Sequence, residues 1–142
     1  MIQMPILVKS WSEDDIVKLY KVGGWWKDSY DKSGIKQLIK GSFCFAVVID
    51  KKTEKTIGMG RVLSDGVSDG YIQDLVILPE YRRKGVGKRL TKSLIDYCKS
   101  KGITWIALVS EPNQENFYKK IGFKEMKNYT PLVNSKNGKI CS

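Results

Sequence analysis

The sequence predicts one domain of the α/β or α+β class, built on a mixed sheet. Three observations lead to this prediction. The chain has 142 residues, a length that suits one domain. Strand and helix patterns follow one another along it without a repeat or a linker. The central strand patterns are joined by short turns, which favours antiparallel neighbours within the sheet.

The first half begins with a predicted strand, "PILVKS", and continues into two helical patterns. In "SEDDIVKLYKV", Ser12 is a predicted N-cap, acidic residues fill the first turn, and Ile16, Leu19 and Tyr20 share one face. The segment "GGWWKDSYDKSG" is predicted to be a loop, because glycines lie at both its ends. "IKQLIKGS" predicts a second short helix that stops near Gly41.

The second half holds the predicted core of the sheet. Its strand patterns are "FCFAVVID", "TIGMGRVLSDG" and "SDGYIQDLVILP", followed by a helix that runs to about Ser100. The helix has a buried stripe of Val86, Leu90, Leu94 and Cys98. A strand in "GITWIALV", a short helix in "NQENFYKKIG" and one or two strands after Phe123 complete the prediction, with "NSKNGKICS" expected to fray.

The composition limits which catalytic sites, metal sites and ligands the chain can have. The chain has no histidine, which excludes Ser-His-Asp catalysis, Cys-His catalysis and histidine zinc sites. Cys44, Cys98 and Cys141 are far apart and form no CxxC pair, so free thiols are expected, with neither a disulfide framework nor a metal site. A net charge of +10 favours anionic ligands, among them nucleic acids, phosphorylated cofactors and acidic surfaces.

The location expected from the sequence is the cytoplasm. No apolar run approaches the length of about 18 residues that a membrane-spanning helix needs. The first residues, "MIQMPILVKS", lack the basic and apolar regions of a signal peptide. No membrane partner is therefore expected.

The junction "LPEYRRKGVGKRL" predicts an anion-binding site where a strand ends and a helix begins. The start of a helix carries unpaired N–H groups, and Gly85 and Gly87 allow a ligand to approach them closely. The basic residues around the glycines are Arg82, Arg83, Lys84, Lys88 and Arg89. A pyrophosphate suits this site, although neither a Walker A loop nor a G-x-G-x-x-G fingerprint fits the spacing.

Two motifs carry a resemblance to a known family. Arg82-x-x-Gly85-x-Gly87 follows "LVILPEY", and "NFYKKIGFKE" lies downstream after one more predicted strand. This pair, in this order, resembles the two acetyl-CoA signatures of the GNAT superfamily of N-acetyltransferases. The resemblance implies the acyl-CoA N-acyltransferase fold, a mostly antiparallel sheet with one splayed parallel pair and about four flanking helices, over residues 1–142.

The same resemblance implies residues for binding acetyl-CoA. The backbone of Leu75, Val76 and Ile77 would hold the pantetheine arm in the splayed gap. The pyrophosphate would bind to the backbone of a loop comprising Arg83, Lys84, Gly85, Val86, Gly87 and Lys88. The side chains of Arg82 and Lys88 would support its charge, with a salt bridge that fixes the loop as the alternative for Arg82.

The second signature implies that Tyr118 donates a proton or a hydrogen bond to the departing thiolate, with a core aromatic beside Phe117 as the alternative. It also implies that Phe117 packs against CoA or the core. A tyrosine with a pKa near 10 is protonated at neutral pH, as an acid must be. The family often has an asparagine seven residues before this tyrosine, where this chain has Glu111. Asn113 is assigned to that role instead.

The sequence gives fewer signals for the residues that would bind and deprotonate the acceptor amine. The family often carries a glutamate base at the position of Gln73. Asp74 is the nearby carboxylate, and it is assigned as the base, with a structural role and a water chain as alternatives. Strand alternation points Asp74 away from Gln73 unless a bulge intervenes. Trp25, Trp26 and Tyr30 are assigned to an aromatic wall for the acceptor, with burial in the core as the alternative.

The resulting hypothesis is an N-acetyltransferase. It would transfer an acetyl group from acetyl-CoA to a primary amine of a small molecule or peptide, by direct attack in a ternary complex. The alternatives are a CoA sensor without activity and a basic nucleic-acid-binding module. The charge clusters around a glycine loop, which favours a compact anion, so no nucleic acid is expected as a partner. The resemblance also allows a homodimer.

Overall fold

The computed structural model describes residues 1–135. Its elements, in chain order, are β1 (Ile6–Leu7), α1 (Glu13–Val22), α2 (Gly34–Gly41), β2 (Cys44–Asp50), β3 (Lys55–Ser64), β4 (Asp69–Ile77), a 3-10 turn (Pro79–Tyr81), α3 (Val86–Ser100), β5 (Trp105–Ala107) and α4 (Glu115–Lys120). This order agrees with the sequence prediction as far as α4. Cys141 and residues 136–142 of the segment expected to fray lie outside the described residues.

The sheet has five strands in the order β1-β2-β3-β4-β5. The first four are antiparallel neighbours, and β5 is parallel to β4. The predicted class, a mixed α/β sheet with four flanking helices, is confirmed. In the described part of the chain, no helix has the length and apolar character needed to cross a membrane.

The predicted strand after Phe123 is wrong for the residues that the structure describes. Residues 124–135 form no strand. Asn128 adopts a left-handed conformation with φ of 67°, and Pro131 lacks the N–H group that a strand ladder uses. Leu132 is 91% exposed, so this segment has no sheet face on which to bury its apolar residues.

The parallel pair separates soon after it begins. Its pairing runs from Asp69 opposite Trp105 to Tyr71 opposite Ala107, where β5 ends. Strand β4 continues to Ile77 without β5 beside it. Along this stretch one edge of β4 therefore faces a gap in the sheet.

A β-bulge interrupts the pairing of β3 with β4. Met59 pairs with Val76, but Arg61 pairs with Gln73, so Asp74 and Leu75 together lie opposite Gly60. The extra residue of the bulge is accommodated at Asp74, whose backbone has a left-handed conformation with φ of 60°. A Cβ atom at position 60 would lie 2.7 Å from Cδ1 of Leu75, so glycine lets the Leu75 side chain pack closely over β3 here.

The core forms between the sheet and its helices. Helix α3 packs on β2, β3 and β4, and α1 packs on β3 and β4. The predicted α3 stripe of Val86, Leu90, Leu94 and Cys98 is buried, and so are the predicted α1 residues Ile16, Leu19 and Tyr20. Cys44 and Cys98 are buried free thiols, as predicted for them.

Candidate active site

The loop before α3 presents open backbone at the start of a long helix. Arg83 and Gly85 have positive φ angles, 63° and 78°, so the chain turns sharply before Val86. Gly85 is the N-cap residue of α3, and no side chain caps the helix there. A Cβ atom built on Gly85 meets nothing within 4 Å. The first N–H groups of α3 therefore have no side-chain cap, and the space beside Gly85 is open, as an anion-binding site requires.

Arg82 attaches this loop to the end of β4. Its Nε donates to the carbonyl oxygen of Ile77 at 2.9 Å. From the sequence, the alternative role of Arg82 is a salt bridge that fixes the loop. In the structure, this side chain instead fixes the loop through a hydrogen bond to the backbone. The Nζ atom of Lys84 lies 5.8 Å from the ring centre of Tyr81, whose hydroxyl donates to Asp50 at 2.6 Å. Arg82, Arg83, Lys84 and Lys88 are exposed and add positive charge to the loop.

Leu75, Val76 and Ile77 lie on the part of β4 that has passed the end of β5. The N–H of Leu78 donates to the carbonyl of Ile57 on β3 at 2.8 Å. Because backbone groups alternate along a strand, those of Ile77 point to the other side, toward the gap. The carbonyl of Ile77 already accepts from Arg82, which leaves its N–H as the group directed into the gap.

Phe117 packs against the start of α3, and Tyr118 follows it in α4. A Cβ atom at position 87 would lie 3.2 Å from Cζ of Phe117, so glycine allows this close packing. Tyr118 lies between two rings, with centroids 5.0 Å from Phe117 and 5.8 Å from Phe123. Burial, with a smaller contribution from the charge of Glu111, raises the pKa of Tyr118 above its ordinary value. The hydroxyl therefore stays protonated at neutral pH.

The turn before α4 holds Glu111 and Asn113. The N–H of Gln114 donates to the carbonyl of Glu111 at 3.1 Å, and Asn113 takes a left-handed conformation with φ of 67°. Oε1 of Glu111 accepts from Nε1 of Trp25 at 3.2 Å. The loop after α1 thus contacts the loop that leads into α4.

Asp74 is held by two side chains. Its Oδ2 accepts from the hydroxyl of Tyr20 and from Nε of Arg61, each at 2.7 Å. Arg61 also donates to Oε1 of Gln73 at 3.2 Å. One guanidinium thus reaches both residues, so simple alternation, which directed Asp74 and Gln73 to opposite faces, does not hold here. The bulge turns Asp74 back toward Gln73.

The predicted aromatic residues form a cluster beside this carboxylate. Trp26 and Tyr30 are in edge contact, with centroids 5.4 Å apart. The ring of Tyr20 lies 6.1 Å from Trp25 and 6.4 Å from Trp26. Trp25 and Trp26 pack partly against the core, whereas Tyr30 is 45% exposed. One side of the cluster therefore packs against the core, and the other side is exposed to solvent.

Sequence reasoning missed Tyr20 and Arg61 as site residues. Tyr20 lies on the buried face of α1 and was interpreted only as a core residue. Arg61 interrupts the otherwise buried "IGMGRV" of β3, and a lone arginine among apolar strand residues was the available signal. Burial and the neighbouring Asp74 carboxylate raise the pKa of Tyr20, so its hydroxyl acts as a donor.

Comparisons with known proteins agree with this geometry. Residues 7–123 match the model of the acetyltransferase (GNAT) family. Over 102 residues, 70% of this chain and 58% of its relative, the sequence is 35% identical to the N-acetyltransferase ycf52 of Pyropia yezoensis. The chain spans less than two thirds of the length of the first curated relatives that it matches.

Solved structures show the same fold. A GNAT family acetyltransferase from Streptococcus pneumoniae superposes with a TM-score of 0.79 at 25% identity, covering 96% of this chain and 98% of that one. The glucosamine-6-phosphate N-acetyltransferase of Arabidopsis thaliana superposes with a TM-score of 0.75 at 17% identity, covering 95% and 99%. The family match, together with the bulged and splayed strand β4 and the open start of α3, shows that the chain belongs to the GNAT acetyltransferase family.

Proposed function

We propose that the protein transfers an acetyl group from acetyl-CoA to a primary amine of a small molecule, by direct attack in a ternary complex. The observation that carries this proposal is the juxtaposition of three features. The start of α3 at Gly85 has no side-chain cap, one edge of β4 is unpaired beyond the end of β5, and Phe117, the neighbour of Tyr118, packs on Gly87 at the start of α3.

The residues around the gap suit acetyl-CoA. Backbone N–H groups from Arg83 to Lys88 would bind the pyrophosphate, because α3 is uncapped and a Cβ atom at Gly85 would meet nothing within 4 Å. The backbone of Leu75, Val76 and Ile77 would hold the pantetheine arm along the edge of β4. Phe117 already packs on Gly87, and Asn113 lies in the turn that precedes α4.

The reaction forms a bond between the amine nitrogen and the thioester carbon and breaks the bond between that carbon and sulfur. The thiolate that leaves takes a proton from the hydroxyl of Tyr118, whose raised pKa keeps it protonated beforehand. A backbone N–H of β4 facing the gap would stabilise the charge that develops on the carbonyl oxygen. No covalent intermediate on the protein is needed.

The proton released by the amine needs an acceptor. Asp74 is the carboxylate assigned to it, and its Oδ2 is already occupied by Tyr20 and Arg61. The amine therefore donates toward Oδ1, and its proton leaves directly to that atom or through water. The glucosamine-6-phosphate N-acetyltransferase that shares the fold supports a small-molecule acceptor over a peptide.

A thiol-release assay with acetyl-CoA tests the proposal. The panel should contain arylalkylamines, polyamines, aminoglycosides, amino sugars and peptides. We expect CoA release with at least one amine, and an N-acetylated product by mass spectrometry. Binding of acetyl-CoA without turnover of any amine would indicate a sensor. Binding of DNA or RNA that weakens with salt, in place of acetyl-CoA binding, would indicate a nucleic-acid module.

A further inference from the structure

We infer that Asp74 binds the ammonium group of the acceptor, and that Tyr20 and Arg61 are positioning residues that hold its carboxylate for this purpose. The acceptor class follows from the surrounding residues: an amine with an apolar or aromatic body. This inference rests on the proposed function, because it describes the second substrate of the same reaction.

The carboxylate of Asp74 is fixed from two directions. Tyr20 on α1 and Arg61 on β3 both donate to Oδ2 at 2.7 Å. The side chains of Asp74 and Arg61 are each 15% exposed, so little water competes for these bonds. Fixing one oxygen with two donors also fixes the direction of the other oxygen.

That other oxygen, Oδ1, is available to a ligand. It forms no hydrogen bond with the residues that the structure describes, whose polar contacts at Asp74 all involve Oδ2. Among those residues, no buried side-chain oxygen lacks a partner, so Oδ1 must reach solvent. When two donors hold one carboxylate oxygen and the other oxygen reaches solvent, the second oxygen can accept a hydrogen bond from an ammonium group.

The aromatic cluster defines what surrounds such an ammonium group. Tyr20 bonds to Asp74 through its hydroxyl and contacts Trp25 and Trp26 through its ring. The ring of Tyr20 therefore lies between a cation bound at Oδ1 and the indole rings of Trp25 and Trp26. Aromatic rings bury apolar groups, so this cluster suits the apolar body of an amine whose ammonium group binds Asp74. This favours amines with an apolar or aromatic body over amino sugar phosphates.

A direct binding experiment tests the ammonium site without requiring turnover. Calorimetry on the full chain saturated with CoA would compare 2-phenylethylamine with its uncharged analogue 2-phenylethanol. We expect the wild type to prefer the amine by about tenfold or more, the value of one hydrogen bond to a charged group. Asp74→Asn should reduce this preference to less than about twofold, because the amide removes the charge but keeps the shape.

Kinetics then test the positioning residues. Tyr20→Phe removes the hydroxyl but keeps the ring in the cluster, and Arg61→Lys keeps the charge but loses the planar pair of donors. Each should raise KM for 2-phenylethylamine by roughly threefold to tenfold, with KM for acetyl-CoA unchanged. Thiol release with glucosamine 6-phosphate as a second substrate should be the slower reaction in the wild type.

Thr56→Val is the matched control. The hydroxyl of Thr56 on β3 donates to Asp15 on α1 at 2.9 Å, so it also ties α1 to the sheet, away from Asp74. This variant should lose stability but keep the wild-type KM for the amine. If it raises that KM as much as Tyr20→Phe does, the role of Tyr20 is only to hold α1, and the positioning role is wrong.

The outcomes separate this inference from the proposed function. A wild type without preference for 2-phenylethylamine over 2-phenylethanol overturns the ammonium site, even if other amines are acetylated. Asp74→Asn that lowers kcat while keeping the amine preference also overturns it, and identifies Asp74 as a base alone. Absence of turnover with every amine would refute the proposed function, while the binding comparison would still decide the ammonium site.

Discussion

Tyr118 is the residue whose surroundings most directly match a chemical role. Phe117 and Phe123 enclose its ring, and burial raises the pKa of its hydroxyl. A protonated hydroxyl in an apolar setting is suited to give up a proton to a thiolate, since the charge that forms on sulfur lies beside it. The same hydroxyl would be unsuitable as a base at neutral pH.

Tyr118→Phe should lower kcat by about 100-fold, the lower end of the contribution of a general acid, and leave the Kd of acetyl-CoA unchanged. Steady-state kinetics and calorimetry measure the two quantities. Because burial raises the pKa of Tyr118, the wild type should lose activity by deprotonation of this hydroxyl only at a pH above the ordinary tyrosine range, and the variant should not show this loss. An unchanged kcat would refute the acid role.

Gly85 is the residue where, under the proposed function, the backbone would contact the pyrophosphate of acetyl-CoA. Its φ of 78° disfavours any side chain, and the space beyond its Cα is open. Gly85→Glu should therefore abolish acetyl-CoA binding, because a carboxylate would occupy the place of the pyrophosphate. Calorimetry with acetyl-CoA measures the loss.

Two controls separate charge from strain at this position. Gly85→Ala adds only the strain of a left-handed residue, about 1 kcal/mol, and should weaken binding without abolishing it. Gly34→Glu places the same charge at the start of α2, where a Cβ atom also meets nothing within 4 Å, and should bind acetyl-CoA normally. Normal binding by Gly85→Glu would contradict the loop assignment.

At the scale of elements, the end of α4 determines how Tyr118 is presented. The N–H of Phe123 donates to the carbonyl of Tyr118, and that of Gly122 to Lys119, both at 3.1 Å. These two bonds, with Gly122 at φ of 107°, form a Schellman motif that returns Phe123 onto Tyr118. The helix has six residues, so it depends on this ending more than a long helix would.

Gly122→Ala should destabilise the protein by about 1–2 kcal/mol, because alanine is strained at a positive φ. It should also lower kcat, since Tyr118 loses its packing against Phe123. Thermal denaturation and thiol release measure the two effects. Gly41→Ala in α2 is the control: position 41 has space for a methyl group and no positive φ, so stability should rise or stay the same. Equal losses in both variants would contradict the role of the motif.

At the scale of the whole molecule, the chain has a net charge of +10, and the loop before α3 exposes four of its basic residues, Arg82, Arg83, Lys84 and Lys88. Such a field strengthens the binding of an anion at low ionic strength and is screened by salt. The core between α1, α3 and the sheet is continuous, so binding at the loop stabilises the folded state as a whole.

Acetyl-CoA at about 100 times its Kd should therefore stabilise the folded protein by about 2.7 kcal/mol, which raises Tm by roughly 8 °C. At a fixed ligand concentration the shift in Tm should shrink as NaCl rises from roughly 0.05 M to 0.5 M, because the basic loop is screened. Thermal shift measurements at both salt concentrations provide the test. A shift that is absent at low salt would refute binding at this loop.

The sequence by itself determined the order of elements, the buried stripe of α3 and the glycine loop among basic residues. These features depend on local rules: the period of apolar residues, N-caps such as Ser12, and glycines such as Gly122 at helix ends. Local rules failed over residues 124–135, where a predicted strand found no neighbouring strand to pair with.

Only the tertiary structure decided how the amine side of the site is built. The bond between Tyr20 and Asp74 joins residues 54 positions apart, and the bond between Trp25 and Glu111 spans 86. The direction of Asp74 depends on a bulge whose position is set by the pairing of β3 with β4 and by the room that Gly60 leaves. Contacts of this kind follow from packing of distant elements, which no local pattern encodes.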